Sequence, residues 1–214
     1  MGKTRSRRDN NLRRHLAYIA ARMMAEDGIT DFATAKTKAA RQAGLGEANL
    51  LPDNHEIEAA LREYQGLYQK EEQPGQLRRL REVAVTVMRE FDAFRPALVG
   101  SVLSGTATQF SDVNLQLFTD DVKALTMFLL NHRYRFEEGT RRVSRGGRLD
   151  EVPQISLEVE DVTVRLTVLD RDDERSSPRA RPDALDSPQR ARLAEVEALL
   201  NPSSGVAPLP GQST

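Results

Sequence analysis

The 214-residue chain has no cysteine and no tryptophan. The lack of thiols excludes disulfides, thiolate zinc sites and cysteine nucleophiles. Charge of one sign is missing too. Lys and Arg number 31 against 32 Asp and Glu, a formal net charge of -1, so any role with nucleic acid or a membrane surface must rest on a local patch. Apolar runs are only a few residues long, and no apolar segment of signal-peptide character follows the basic N-terminus. The expectation is a cytoplasmic protein with no membrane partner. The three histidines, His15, His55 and His132, lie far apart beside polar residues without ligand spacing, and each reads as a surface side chain. No internal repeat is visible. What is present, 39% hydrophobic and 29% charged residues, is a soluble globular composition with room for one domain with helical additions or two small ones.

Residues 1–14 carry Lys3, Arg5, Arg7, Arg8, Arg13 and Arg14 against one acid, Asp9, with no aromatic among them. This pattern reads as a disordered basic arm. Residues 15–95 read as a helical segment. Leu12, Leu16, Ile19 and Met23 form a stripe ending at Gly28, a C-cap. Thr30 or Asp31 starts a second helix, Phe32 to Ala43, with a thin face of Ala35, Ala39 and Ala43. Asp53 caps a third, with Glu56 completing a capping box and Ile57, Leu61, Tyr64 and Tyr68 in its stripe. Gln73-Pro74-Gly75 breaks it, and a fourth helix spans Gln76 to Phe91. These helices are too rich in alanine and charge to bury a large core alone and are expected to pack on the sheet that follows. Their basic residues are spread over several helices, which favours a structural or partner-binding role over DNA reading.

Residues 96–170 read as a small mixed sheet with helices, so the fold class is α+β. A short strand, Ala97 to Val99, runs into the Gly100-Ser101 turn. A polar segment with Gly105 follows, and Ser111-Asp112-Val113-Asn114-Leu115 opens a second strand. Such a turn offers backbone N–H groups, a hydroxyl and a helix dipole to an anion. Positions 112 and 114 of a strand share one face. Asp121 starts a helix to Asn131. His132 to Phe136 begins a strand that Thr140 to Val143 continues or partners. Ser144 to Arg148 reads as a flexible glycine turn, with Arg141 and Arg142 beside it as the alternative phosphate grip. Ile155 to Val159 and Thr163 to Leu169 form a hairpin about Glu160-Asp161. Residues 171–188 read as a linker, 189–200 as a last helix, and 201–214 as a disordered tail.

The order Gly100-Ser101, Gly105, Ser111-Asp112 with its spacing resembles the nucleotidyltransferase superfamily, the DNA polymerase beta-like fold of compact bacterial type. The resemblance covers residues 96–170. It implies that Gly100, Ser101, Gly105 and Ser111 bind a nucleoside triphosphate and that Asp112 holds catalytic Mg²⁺. It also implies a second carboxylate where Asn114 stands, and an amide brings no charge to offset the ion. A third carboxylate is implied on a later strand, where the central polar position of Val162 to Leu169 holds Arg165. An inward Arg165 would claim the metal's space and pair with Asp112. Glu158 and Asp170 are substitutes for the missing acid. Ser101 has no nucleophile elbow or histidine partner, so its implied role is phosphate binding.

Three functions follow as expectations. The favoured one is a nucleotidyltransferase fold whose Mg²⁺-dependent transfer is weakened or lost, and which works by binding, with a protein partner on its helices. The second is an active enzyme that moves a nucleoside monophosphate from an NTP to a protein, RNA or small-molecule hydroxyl. There Asp112 and Asn114 would hold the metal, with Glu158 as third ligand. The last is a nucleic-acid-associated regulator that uses the basic arm.

Overall fold

Short acidic side chains decide where several helices begin. The computed structural model describes residues 2–44, 51–145, 148–176 and 190–201. The helices Phe32–Gln42 (α2), Asn54–Tyr68 (α3) and Val122–Asn131 (α6) each start on an aspartate whose carboxylate accepts a backbone N–H one turn on. These are Asp31 to Thr34, Asp53 to Glu56 and Asp121 to Ala124. The expected capping box is present in α3: Asp53 Oδ1 accepts from Glu56 N at 2.8 Å, and Glu56 Oε2 accepts from Asp53 N at 2.8 Å.

The remaining elements are helix Gly2–Glu26 (α1), helix Glu72–Glu90 (α4), strand Ala97–Val99 (β1), the single turn Ser101–Ser104 (α5), strand Val113–Phe118 (β2), strands Phe136–Arg145 (β3), Arg148–Val159 (β4) and Val162–Leu169 (β5), and helices Arg171–Ser176 (α7) and Leu193–Leu200 (α8). The class is α+β, an N-terminal helical region followed by a five-stranded mixed sheet.

Several boundaries differ from expectation. The backbone of the basic segment 1–14 is helical from Gly2, continuous with α1. Pro74-Gly75 does not break a helix but sits in the first turn of α4, where the N–H that proline lacks would have no intrahelical partner. The expected linker begins with α7. The last helix starts at Leu193 rather than Gln189, because Ala191 is engaged in a backbone bridge: Leu98 N donates to Ala191 O at 2.9 Å and Ala191 N to Leu98 O at 3.0 Å. Gly146 and Gly147 of the glycine turn, residues 177–189 and the tail 202–214 lie outside the described residues.

The described residues divide into two compact units: 2–44, 51–79 and 104–112 form one, and 80–103, 113–145, 148–176 and 190–201 the other. In the first, α1, α2 and α3 enclose a core of their own rather than merely flanking a sheet. Leu16, Ala20, Ala21, Ala35, Ala39 and Ile57 are fully buried. Alanine at Ala35 and Ala39 lets α2 lie close to its neighbours, which is how an alanine-rich segment closes a core. Arg13 of α1 reaches Glu56 of α3 at 2.8 Å. Tyr64 donates a short hydrogen bond to Glu26.

In the second unit the strand order is β1-β2-β5-β4-β3. β2 and β5 pair in parallel and every other neighbouring pair is antiparallel. The β4–β5 hairpin turns on Glu160 and Asp161, both at positive φ (51° and 62°), the backbone of a two-residue type I′ turn. Leu115, Leu117, Val164 and Leu166 are fully buried, and between them along the strands lie Asn114, Gln116 and Arg165, only partly covered. One face of the central strands is therefore apolar and the other polar. Phe91, just past the end of α4, meets Phe128 of α6 edge-on, with centroids 5.0 Å apart. α6 ends in a Schellman motif, Tyr134 N to Leu129 O at 3.0 Å and Arg133 N to Leu130 O at 3.1 Å, with Arg133 at φ 59°.

Two stability predictions follow from these contacts. Exposed Arg133 sits in the left-handed region, so Arg133→Gly should stabilise the protein by about 0.5–1 kcal/mol, read as a melting temperature raised by a few degrees. The bond to Glu26, with burial, pushes the Tyr64 hydroxyl up from 10.0 to about 12. A raised folded-state pKa gives stability that is complete below pH 10 and lost as pH rises through 12. Denaturant melts from pH 9 to 12 should show that alkaline loss in the wild type and a shallower one in Tyr64→Phe.

Candidate functional site

The residues that carry the motif are divided by the unit boundary. Gly100, Ser101, Asn114, Glu158 and Arg165 belong to the sheet unit, and Gly105, Ser111 and Asp112 to the helical unit.

In the sheet unit, β1 ends at Gly100 with φ +78°. A Cβ there would stand 3.7 Å from Asn114 Nδ2, an ordinary contact, so the backbone angle rather than space demands glycine. Gly100 thus lies against the Asn114 side chain. Ser101 opens α5, whose last carbonyls are met from α4. Arg81 Nε donates to Val102 O at 3.1 Å and Arg81 Nη2 to Leu103 O at 3.4 Å. Burial lowers the pKa of Arg81, yet these two carbonyls hold its guanidinium in place.

The strand register decides what shares the polar face. Asn114 pairs with Arg165, and Arg165 pairs with Ser156. An amide, a guanidinium and a hydroxyl therefore form one row across three adjacent strands, about 5 Å from strand to strand. Next along the same face, Gln116 pairs with Thr167 and Gln154 with Thr167, and Gln154 Nε2 donates to Thr167 Oγ1 at 3.4 Å. In the other direction Glu158 pairs with Thr163 and is exposed. Arg165 thus takes the same face as Asn114, the orientation that an inward guanidinium requires. Asp170 lies beyond the end of β5.

The far end of this face is closed. Ala97, Phe118, Val152 and Leu169 form a small apolar cluster. The guanidinium carbons of Arg190 and Arg192 stand 4.9 and 5.2 Å from the Phe118 ring centroid. Arg192 donates to Arg95 O at 2.8 Å and forms a short ion pair with Glu174, which also takes Arg95 at 2.9 Å.

In the helical unit, side-chain amides hold the backbone of segment 104–112. Gln65 Nε2 donates to Thr106 O and Ala107 O, each at 3.2 Å, and Gln73 Nε2 to Gly105 O at 2.9 Å. Gly105 has φ +86°. The Ser111 hydroxyl accepts Thr108 N at 2.9 Å, so one of its jobs is to close the turn 108–111. Phe110 packs on Gly28, where an added Cβ would meet the ring at 3.3 Å.

The donor set does not suit a divalent metal. In the sheet unit, where the resemblance implies a second and a third carboxylate, the register row holds a neutral amide and a cation. The enclosed Gln116 Oε1, an acceptor with no hydrogen-bond partner, brings no charge. Among the described residues no three His, Cys, Asp or Glu side chains gather as a metal site. No helix among them is long and apolar enough to cross a membrane.

Gln65, Gln73, Arg81 and Ser156 were not singled out by sequence. The alternation of Ser156 with Glu158 was the only signal for any of them, since a glutamine on a polar helix face does not announce which carbonyl it will meet. Gln65→Leu removes a buried donor from two carbonyls and should destabilise the protein by about 1–3 kcal/mol in denaturant titration. No protein-family model matches the chain, and no curated protein matches it.

Proposed function

We propose that this chain is a nucleotidyltransferase-like protein in which Mg²⁺-dependent nucleotidyl transfer is weakened or lost, and which acts in the cytoplasm by binding rather than by catalysis. One observation carries the reading: Asn114 and Arg165, neighbours in register at the centre of the polar face, stand where the resemblance implies carboxylates. Replacing two anionic ligands by an amide and a cation removes the charge that offsets a divalent ion. Gly100, with its left-handed backbone beside Asn114, supports retention of the nucleotide-facing turn. For a protein partner the support is on α3, where Leu67 and Tyr68 are 62% and 65% exposed at the end of an otherwise core-forming helix.

The competing reading, an active enzyme transferring a nucleoside monophosphate to a hydroxyl, draws on Glu158. That acid faces the same side as Asn114 and Arg165. Calorimetric titration with ATP and GTP, with and without Mg²⁺, separates the two. The expected result is that Mg²⁺ adds no affinity and that Asp112→Ala leaves nucleotide binding as it was. Mg²⁺-dependent binding abolished by Asp112→Ala would restore the enzymatic reading.

A further inference from the structure

β3 is the last strand in the order β1-β2-β5-β4-β3, and among the described residues its ten residues pair with β4 alone. Its outer side therefore carries a row of backbone N–H and C=O groups that no described strand meets. Residues 137–142 are all exposed, and none of them is proline, which would remove a donor from that row.

Charge is ordered along this strand. Glu137 and Glu138 stand at one end of the exposed run and Arg141 and Arg142 at the other, with Gly139 and Thr140 between. Charges on an edge strand of one sign repel a second copy in every alignment, but a row split by sign does not. Parallel pairing in register sets Glu on Glu and Arg on Arg, whereas antiparallel pairing sets acids against bases. Arg142 is held by Glu151 at 3.2 Å, while Glu137 and Arg141 have no ion-pair partner among the described residues. Two antiparallel copies related by a two-fold axis place one residue opposite its own counterpart. With Gly139 at that position, Glu137 of each copy faces Arg141 of the other on one side of the sheet. Centred on Glu138, the pairing sets Arg141 against Arg135. Centred on Thr140, it relies on Arg142, which Glu151 already holds.

Gly139 gives an independent reason for this centre. A glycine in mid-strand weakens the strand, and nothing within the chain asks for it here. Its φ is not positive, and an added Cβ would meet no atom closer than Gln154 O at 3.9 Å. Close approach of another backbone is the remaining use of such a residue.

We infer that β3 is a docking edge for a second copy of this chain, paired antiparallel about Gly139 so that the two sheets run on as one. Nothing in it draws on nucleotide binding.

Analytical ultracentrifugation of the full-length protein over a rising concentration series tests it. The wild type should pass from monomer to dimer, and less readily in high salt. Glu137→Arg and Arg141→Glu each turn two attractive pairs into two repulsive ones and should weaken the dimer about tenfold or more. Both positions are exposed, so the monomers should stay folded, which circular dichroism checks. Mixing the two variants should restore a dimer, because their strands then carry opposite charge at both facing positions. The double variant should dimerise as the wild type does. A wild type that stays monomeric overturns the inference and leaves the edge to an extended segment of another protein. A dimer that neither substitution weakens, or variants that do not associate on mixing, overturns it as well.

Discussion

The parallel pairing of β2 with β5, from Val113 opposite Val164 to Phe118 opposite Leu169, is the constraint on which the sheet unit depends. It places Leu115 beside Leu166 on the buried face, and the same register places Asn114 beside Arg165 on the other. A slip of one residue would send the buried leucines to the polar face and Arg165 into the core, so burial and site geometry are held by one set of hydrogen bonds. Parallel neighbours also need a long crossover. Here α6, β3 and β4 supply it, and β4 then returns as the other neighbour of β5, with Ser156 set against Arg165.

The rest of that unit closes what the central pair leaves open. β1 is an edge strand of three residues, and an exposed edge invites pairing with other chains. Ala191 occupies it with a reciprocal pair of backbone hydrogen bonds, and Arg192, anchored on Glu174 and on the carbonyls of Arg95 and Pro96, fixes the segment there. Arg190 and Arg192 then cover Phe118, so the C-terminal segment protects the edge and roofs one end of the polar face. Burial lowers the pKa of Arg190, and the Phe118 face and the Asp173 carbonyl it donates to offset part of its desolvation.

The polar face left open at the other end is chemically consistent within itself. Its central row runs from Asn114 through Arg165 and Ser156 to Glu137 of β3, and Glu137 and Glu158 are its exposed acids. A face built for divalent metal would invert that pattern, with oxygen anions at the centre and cations at the rim. Asn114 and Arg165 thus act together, because neither brings negative charge to the centre of that row.

Much of this protein could be read from its residues, and what could be read was local. Asp31, Asp53 with Glu56, and Asp121 announced helix starts because a cap needs only residues one turn apart. The alternation in Val162 to Leu169 announced a strand with Arg165 among its polar positions, because side-chain direction in a strand has period two. The same local logic misread Pro74, since the rule that proline breaks a helix says nothing about which turn it occupies, and it missed the helix at Arg171–Ser176 within a run of charge. Tertiary structure alone decided that Arg165 stands beside Asn114, that Gln65 and Gln73 hold the carbonyls of segment 105–107, and that Ala191 pairs with Leu98. Each of these joins residues tens of positions apart in the chain, and their pairing is set by register and burial, which no single stretch of sequence contains.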